Sequence, residues 1–141
     1  MEIIGPGLTY LSDEDIKFLH SGAEYFNILL PVSNGYMAAL QNHNEFLMIF
    51  YSESCISITN KFLPIISGYQ VSDKVRLLQN ELILEMESHR SAQDNYLQSI
   101  QCQDLEQKVV FLKTSFNELT KATKHFNKIK VIENQLKINF I

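Results

Sequence analysis

The second half of the chain contains no residue that breaks a helix. Neither glycine nor proline occurs from Tyr69 to Ile141, and these two residues are the strongest signals for turns and helix ends. One straight helix of roughly 70 residues would be about 100 Å long, which is out of proportion to a chain of 141 residues. The sequence therefore predicts two long helices, over 71–100 and 105–137, that fold back on each other at a short break or sharp bend at 101–104.

A regular stripe of large side chains predicts the buried face of the last helix. Its members follow one another at alternating steps of four and three residues: Leu105, Val109, Leu112, Phe116, Leu119, Thr123 and Phe126. This spacing is typical of one face of a helix that packs against another helix. We expect Phe116, in the middle of the stripe, to be buried with Leu112 and Leu119 beside it.

The start of the first helix is marked by a capping signal. Residues 1–11 are predicted to form an extended arm, because the Gly-Pro-Gly at 5–7 does not continue a helix. Ser12 is a good N-cap, and Asp15 stands three residues later in a capping-box-like position. Pro31 is predicted to end or kink the helix. The predicted buried stripe of this helix comprises Ile16, Leu19, Ala23, Phe26 and Leu30.

Residues 32–67 allow two interpretations. In the first, a helix begins at Ser33 and is stopped by Pro64. In the second, Asn34-Gly35 forms a hairpin turn, and the alternating apolar and small polar residues at 55–59 form a strand. Periodicity does not separate a short strand from a helix segment here, and we favour the helix because the flanking sequence is helical.

The fold predicted from these patterns is all-α. It is a helical bundle whose two long C-terminal helices form an antiparallel hairpin, and residues 1–141 form a single helical domain. The alternative is an α+β fold with a small antiparallel sheet in 27–66.

Composition excludes several classes of protein. Hydrophobic residues make up 45% and charged residues 20%, which favours a packed core over disorder. A net charge of −4 is unlike that of a dedicated nucleic-acid-binding protein. The apolar runs are far shorter than the ~20 residues of a transmembrane helix, and the N-terminus lacks the features of a signal peptide. With only Cys55 and Cys102, reduced thiols and a cytoplasmic protein are expected.

Few residues point to chemistry. Glu81, Glu85 and His89 are spaced four residues apart on one face of the predicted third helix, and His20 with Glu24 is another such pair. Helical bundles build metal sites from such groups, but the Glu-x-x-His pairs of di-iron bundles and the His-Glu-x-x-His motif do not occur. Neither cysteine is in an activating context. We therefore expect no catalytic residue, no metal and no cofactor, with a metal-dependent bundle enzyme as the less favoured alternative.

The end of the last helix is the predicted interface. The apolar stripe continues to the C-terminus with little sequence left to cover it, and lysines border it. We expect a homo-oligomer or a partner protein docked at this end, since exposed apolar stripes mark interaction sites. The interface residues are Ile129, Ile132, Leu136 and Phe140, with Lys124, Lys128, Lys130 and Lys137.

Three stretches, 41–47, 71–90 and 104–126, combine amphipathic helical spacing, few breakers, and spaced Leu and Phe among Gln, Asn, Ser, Thr and Lys. This pattern resembles that of phasins, small helical proteins that coat polyhydroxyalkanoate granules. The resemblance implies a non-enzymatic protein that covers a hydrophobic granule or surface with amphipathic helix faces. The alternative is an adaptor or chaperone subunit of a bacterial secretion or phage assembly that binds a partner protein.

Overall fold

Four helices account for most of the described residues. The computed structural model describes residues 2–3 and 10–139. The helices are α1 (Asp13–Gln41), α2 (Glu45–Gly68), α3 (Asp73–Gln101) and α4 (Leu105–Leu136). The all-α prediction is confirmed, and the alternative sheet in 27–66 is wrong because α1 and α2 occupy that segment.

Short connections join the helices into an up-down-up-down bundle. The connections span 42–44, 69–72 and 102–104, and each helix packs against the next along the chain. The predicted antiparallel hairpin of α3 and α4 is confirmed, with its break where the sequence placed it. We call the end with the connections 42–44 and 102–104 the upper end, and the end with the connection 69–72 the lower end.

One carboxylate organises the lower end. The Asp15 backbone N–H donates to Ser12 Oγ at 3.1 Å, and the Ser12 N–H donates to Asp15 Oδ2 at 3.0 Å, so the predicted capping box is present. The same carboxylate accepts hydrogen bonds from the backbone N–H and the hydroxyl of Ser72 at 2.7 and 2.6 Å. Burial acts to raise the pKa of Asp15, but these hydrogen bonds outweigh it and lower that pKa. Asp15 therefore fixes the starts of α1 and α3 together.

Three predicted breakers lie inside helices. Pro31 is within α1 and Pro64 is within α2, so neither residue ends its helix. The prediction that Pro64 stops a helix is wrong, and of the two alternatives predicted for Pro31, an end or a kink, the end is wrong and the kink stays a prediction. A proline in a helix interior costs about 3 kcal/mol, and burial of neighbours such as Leu29 and Tyr36 offsets that cost. Gly35 serves close packing, since a Cβ there would lie 2.5 Å from the Tyr51 ring. Asn34-Gly35 is thus a contact between helices and not a hairpin turn.

The break between α1 and α2 falls at Asn42, His43 and Asn44. His43 adopts a left-handed conformation with φ of 52°, a region that most side chains avoid. The Leu47 N–H donates to Asn44 Oδ1 at 3.2 Å and caps α2. The segment predicted to be one helix from Ser33 is therefore the last part of α1 followed by α2. The polar residues at 42–44 separate the two helices, at a break that was not predicted from the sequence.

Two apolar clusters fill the bundle. The lower core receives residues from all four helices, including Phe18, Phe26, Leu82 and Ile129. The smaller upper cluster is formed by Tyr36, Ala39, Met48 and Tyr96, with partly buried neighbours from α2 and α3. Residues of α4 belong to the lower core and not to the upper cluster.

The two ends of the chain meet beside the lower core. Strand β1 (Glu2–Ile3) pairs antiparallel with strand β2 (Ile138–Asn139). The Tyr10 hydroxyl donates to the Leu136 carbonyl at 2.8 Å. The other residues of the predicted N-terminal arm, 1 and 4–9, lie outside the described residues.

Candidate functional site

The face of α4 that packs against α3 is offset by one residue from the predicted stripe. Every member of this face is at least partly buried, and the Ser115 hydroxyl donates to the Ala92 carbonyl of α3 at 2.7 Å. One residue corresponds to a rotation of about 100° around a helix axis. The α3-facing residues are Lys108, Phe111, Ser115, Glu118, Ala122, His125, Ile129, Ile132 and Leu136.

The lower core determines this rotation. Ile129 and Ile132 are 0% and 7% exposed, so the orientation of α4 is fixed where these side chains are enclosed. A helix is rigid over this length, and its upper half must keep the same orientation. Small and polar residues therefore face α3 in the upper half, and the large apolar side chains point elsewhere.

The upper part of the predicted stripe is uncovered. Leu105 is 73% exposed, Phe116 is 70% exposed, and Val109 and Leu112 are each 41% exposed. The prediction that Phe116 is buried is therefore wrong. Only the lower end of the stripe is covered, where the ring centroids of Phe126 and Phe26 lie 5.7 Å apart.

Lysines border the uncovered stripe. Lys113 lines a shallow groove on α4 together with Val109, Leu112 and Phe116, and Lys108 precedes Val109. Among the described residues, neither lysine forms an ion pair. The groove therefore combines an apolar floor with a positive border.

The predicted apolar interface at the end of α4 is covered by the chain itself. Ile129 and Ile132 belong to the lower core, and Leu136 packs against it. The expectation that these side chains are exposed is wrong because the bundle and the β2 segment enclose them. Phe140 lies outside the described residues.

The predicted lysine border of that interface is partly engaged within the chain. Lys128 Nζ lies 4.0 Å from Glu81 Oε1, and Lys130 Nζ lies 3.9 Å from Glu133 Oε1. Lys137 ends α4 in a left-handed conformation, and Lys124 is exposed. Self-association or binding of a partner protein stays a prediction.

Two buried ionisable groups lie in the middle of α3. Glu85 and His89 are each 5% exposed. Glu85 Oε2 and His89 Nδ1 have no hydrogen-bond partner among the described residues. Burial raises the pKa of Glu85 to about 8 and lowers the pKa of His89 to about 4. Both side chains are therefore mainly uncharged at neutral pH.

The third member of the predicted face, Glu81, has a partner that the sequence did not reveal. His125 Nδ1 of α4 lies 2.6 Å from Glu81 Oε2, and both side chains are mostly buried. His125 stands one turn before Ile129 on the α3-facing side. Extending the stripe of Ile129 backwards along α4 was the signal that could have identified it.

A cavity of about 200 Å³ lies between α1, α3 and α4. α3 contributes Glu85 and His89 to its lining, and the apolar lining includes Phe26, Leu119 and Phe126. The structure thus combines two of the three residues that the sequence singled out on α3 with an accessible apolar space.

The remaining chemical candidates do not converge. His20 and Glu24 are exposed on α1, and no group of three or more potential metal ligands is present among the described residues. Cys55 and Cys102 are free thiols. Burial, with a smaller contribution from Glu85, raises the pKa of Cys55 to about 12, so its thiol is protonated at neutral pH and is a poor nucleophile.

Comparisons with protein-family models, curated proteins and solved structures gave no match. The resemblance to phasins stays a prediction. Within the described residues, none of the helices has both the length and the apolar character needed to cross a membrane.

Proposed function

We propose that this protein is a non-enzymatic binding protein that holds an amphipathic helix of a partner protein against the upper half of α4. The observation that carries the proposal is the uncovered stripe of Leu105, Val109, Leu112 and Phe116. Its spacing is that of a helix–helix seam, yet the upper apolar cluster of the bundle contributes nothing to cover it.

The width of the stripe favours a helix as its partner. A stripe with two apolar positions per heptad is narrow and is typical of the contact between two helices of a coiled coil. A helix that lies on an extended hydrophobic surface has a wider apolar face. The groove beside Leu112 and Phe116 accepts side chains of a second helix as knobs into holes.

The border charges specify the chemistry of the partner. Lys108 and Lys113 flank the stripe without ion-pair partners among the described residues. In paired helices, the charges that flank the apolar seam select the partner through opposite charge. The partner helix therefore carries Leu-like residues at heptad spacing and Glu or Asp at its edges. Binding of such a helix is the form in which we propose the role of an adaptor or chaperone subunit of a secretion or phage assembly.

Two synthetic three-heptad peptides test the proposal. Both carry Leu at the seam positions, and the flanking positions are Glu in one peptide and Lys in the other. We expect the acidic peptide to bind at least tenfold more tightly, a difference of about 1.4 kcal/mol. Calorimetry or fluorescence anisotropy measures both affinities.

Substitutions on α4 provide the controls. Phe116→Ser should weaken the acidic peptide at least tenfold, and Lys113→Glu should reduce or reverse the preference for it. Val131→Ser is the matched control, because Val131 is 56% exposed on α4 but lies off the stripe. Equal binding of both peptides, or affinity for the acidic peptide unchanged by Phe116→Ser, would contradict the proposal. Sedimentation of the protein without peptide shows whether a second copy occupies the stripe instead.

Coating of a hydrophobic surface is the second candidate. Phe46 is 78% exposed and Phe50 is 55% exposed at the start of α2. α2 and α4 both begin at the upper end, so exposed apolar side chains at this end are supplied by two helices and not by α4 alone. Co-sedimentation with polyhydroxybutyrate granules that is lost in Phe46→Ser supports coating, whereas peptide binding unaffected by that substitution supports the helix partner.

A further inference from the structure

α1 carries an apolar stripe that matches the uncovered stripe of α4. The buried face predicted for α1 over 16–30 continues at the same steps of three and four residues as Ser33, Met37 and Leu40. Its lower part is enclosed, since Phe26 is 1% exposed, but Met37 and Leu40 are 43% and 40% exposed. Each of the two helices therefore buries the lower part of its stripe and exposes the upper part.

The two stripes meet at their lower ends. The ring centroids of Phe26 and Phe126 lie 5.7 Å apart. One step higher, Leu30 and Ser33 of α1 line the cavity of about 200 Å³ together with Leu119 of α4. The exposed parts of both stripes thus continue upwards from the same cavity.

Above this cavity, α1 and α4 leave a gap. Close backbone packing joins α1 to α2, α2 to α3 and α3 to α4, but within the described residues no comparably extended packing joins α1 to α4. The two helices run in opposite directions, so Met37 and Leu40 lie at the levels of Phe116 and Leu112. The groove at these two α4 residues is lined by α4 alone among the described residues. From Leu30 to Leu40 the gap is about 15 Å long, roughly three turns of a helix.

We infer that the partner helix lies in this gap against α1 and α4 together, with an acidic edge beside α4 and an uncharged edge beside α1. The inference rests on the proposed function, to which it adds α1 as a second wall and the charge pattern of the partner. A helix in the gap covers both exposed stripes at once, whereas a helix on α4 alone leaves Met37 and Leu40 exposed.

The two walls of the gap differ in charge. Lys113 lies one residue beyond Leu112, about 100° around α4, on the side turned away from Ser115 and α3. In contrast, no Asp, Glu, Lys or Arg occurs in α1 from Tyr25 to its end at Gln41. A carboxylate beside Lys113 meets an opposite charge, but a carboxylate against the α1 wall loses water without gaining a partner. The partner helix is therefore acidic along one edge only.

A third synthetic peptide distinguishes one wall from two. This one-edge peptide has the Leu seam of the acidic peptide, with Glu on one flank and Ala on the other. In the gap, Ala packs against α1 where Glu would be desolvated, so we expect the one-edge peptide to bind at least threefold more tightly than the peptide with Glu on both flanks. A helix lying on α4 alone, between Lys108 and Lys113, should show the opposite order.

Substitutions on α1 test the second wall. Met37→Ser should weaken the one-edge peptide at least fivefold. Ile28→Ser is the matched control, because Ile28 is 40% exposed on α1 but lies two residues from Phe26 and so on the opposite side of the helix. Met37→Lys supplies the charge that the α1 wall lacks and should reverse the order of the two acidic peptides. Both substituted positions are exposed, and circular dichroism checks that the variants are folded.

Failure of this inference is distinguishable from failure of the proposed function. If Phe116→Ser weakens the peptides but Met37→Ser does not, or if Met37→Lys leaves their order unchanged, the helix lies on α4 alone. The inference is then overturned and the proposed function stands. If Phe116→Ser has no effect on either peptide, both are overturned. A dimer in sedimentation that Met37→Ser dissociates would assign the gap to a second copy of the chain and would also overturn the inference.

Discussion

The lower and upper halves of α4 carry similar apolar stripes in opposite environments. In the lower half, Ile129 and Ile132 are enclosed by the core that all four helices share. In the upper half, Leu112 and Phe116 face away from α3 and remain exposed. The comparison shows that one end of a rigid helix determines which face is buried along its whole length. An apolar stripe that is out of step with that end remains exposed on the surface of the bundle.

The largest expected effect lies in the lower half. Ile129→Ala removes a fully buried side chain and should lower the free energy of unfolding by about 2–5 kcal/mol, because it loses buried apolar area and leaves a cavity. Urea unfolding monitored by circular dichroism measures the change. A loss of less than about 1 kcal/mol would show that the lower half is not the enclosed half.

The Asp15 carboxylate should show the next largest effect. Asp15→Ala removes hydrogen bonds to Ser12 and Ser72 at the starts of two helices and should cost about 1–3 kcal/mol. Ser72→Ala is the matched variant, which removes only the hydroxyl donor and should cost less. If the two substitutions had equal and negligible effects in thermal unfolding, the carboxylate would not hold α1 and α3 together.

The free energy of unfolding should depend on pH because of Glu85, which is buried in the middle of α3. The pKa of Glu85 is raised from 4.5 to about 8, so between these values the folded state binds more protons than the unfolded state. Stability therefore falls as the pH rises through this window, by up to about 1.4 kcal/mol per pH unit.

His89 opposes Glu85 at lower pH. Its pKa is lowered from 6.5 to about 4, so stability rises with pH across that window and largely cancels the Glu85 contribution below about pH 6.5. Wild-type stability should decline between pH 6.5 and 8, and Glu85→Gln should remove most of the decline. Urea midpoints measured across this range test the sign, and the same slope in both proteins would contradict it.

The smallest effect should be found in the upper half. Phe116 is 70% exposed and Phe26 is 1% exposed. Phe116→Ala should change the free energy of unfolding by no more than about 0.5 kcal/mol, whereas Phe26→Ala should cost about 3–5 kcal/mol. Similar urea midpoints for the two variants would remove the distinction between the halves.

Local chemistry made much of the fold predictable. Ser12 and Asp15 form the expected capping box, and α3 and α4 meet at the expected break before Asp104, whose side chain accepts from the Glu106 N–H. Capping depends on residues a few positions apart, which the sequence displays directly. The end of α1 was wrongly predicted at Pro31, because the effect of a proline on a helix depends on tertiary packing that the sequence does not display.

The buried face of α4 was not predictable from hydrophobicity. Two faces one residue apart have the same spacing, and the one that packs against α3 includes Ser115, Glu118 and His125. A count of apolar residues selects the other face. The candidate site was likewise only partly predictable. Four-residue spacing identified Glu85 and His89, but the cavity beside them is formed by three helices that are distant in sequence.

Cysteine accessibility along α4 tests the central claim most directly. Single cysteines are introduced at Val109, Leu112 and Phe116 on the uncovered stripe and at Ser115 and Ala122 on the α3-facing side, in a Cys102→Ser background, because Cys55 is buried and Cys102 is only half-buried. We expect the first three to react with a thiol reagent nearly as fast in the folded as in the denatured protein, and the last two to be strongly protected. Protection of positions 109, 112 and 116 with free reaction at 115 and 122 in the monomer would place the other face against α3 and contradict the account.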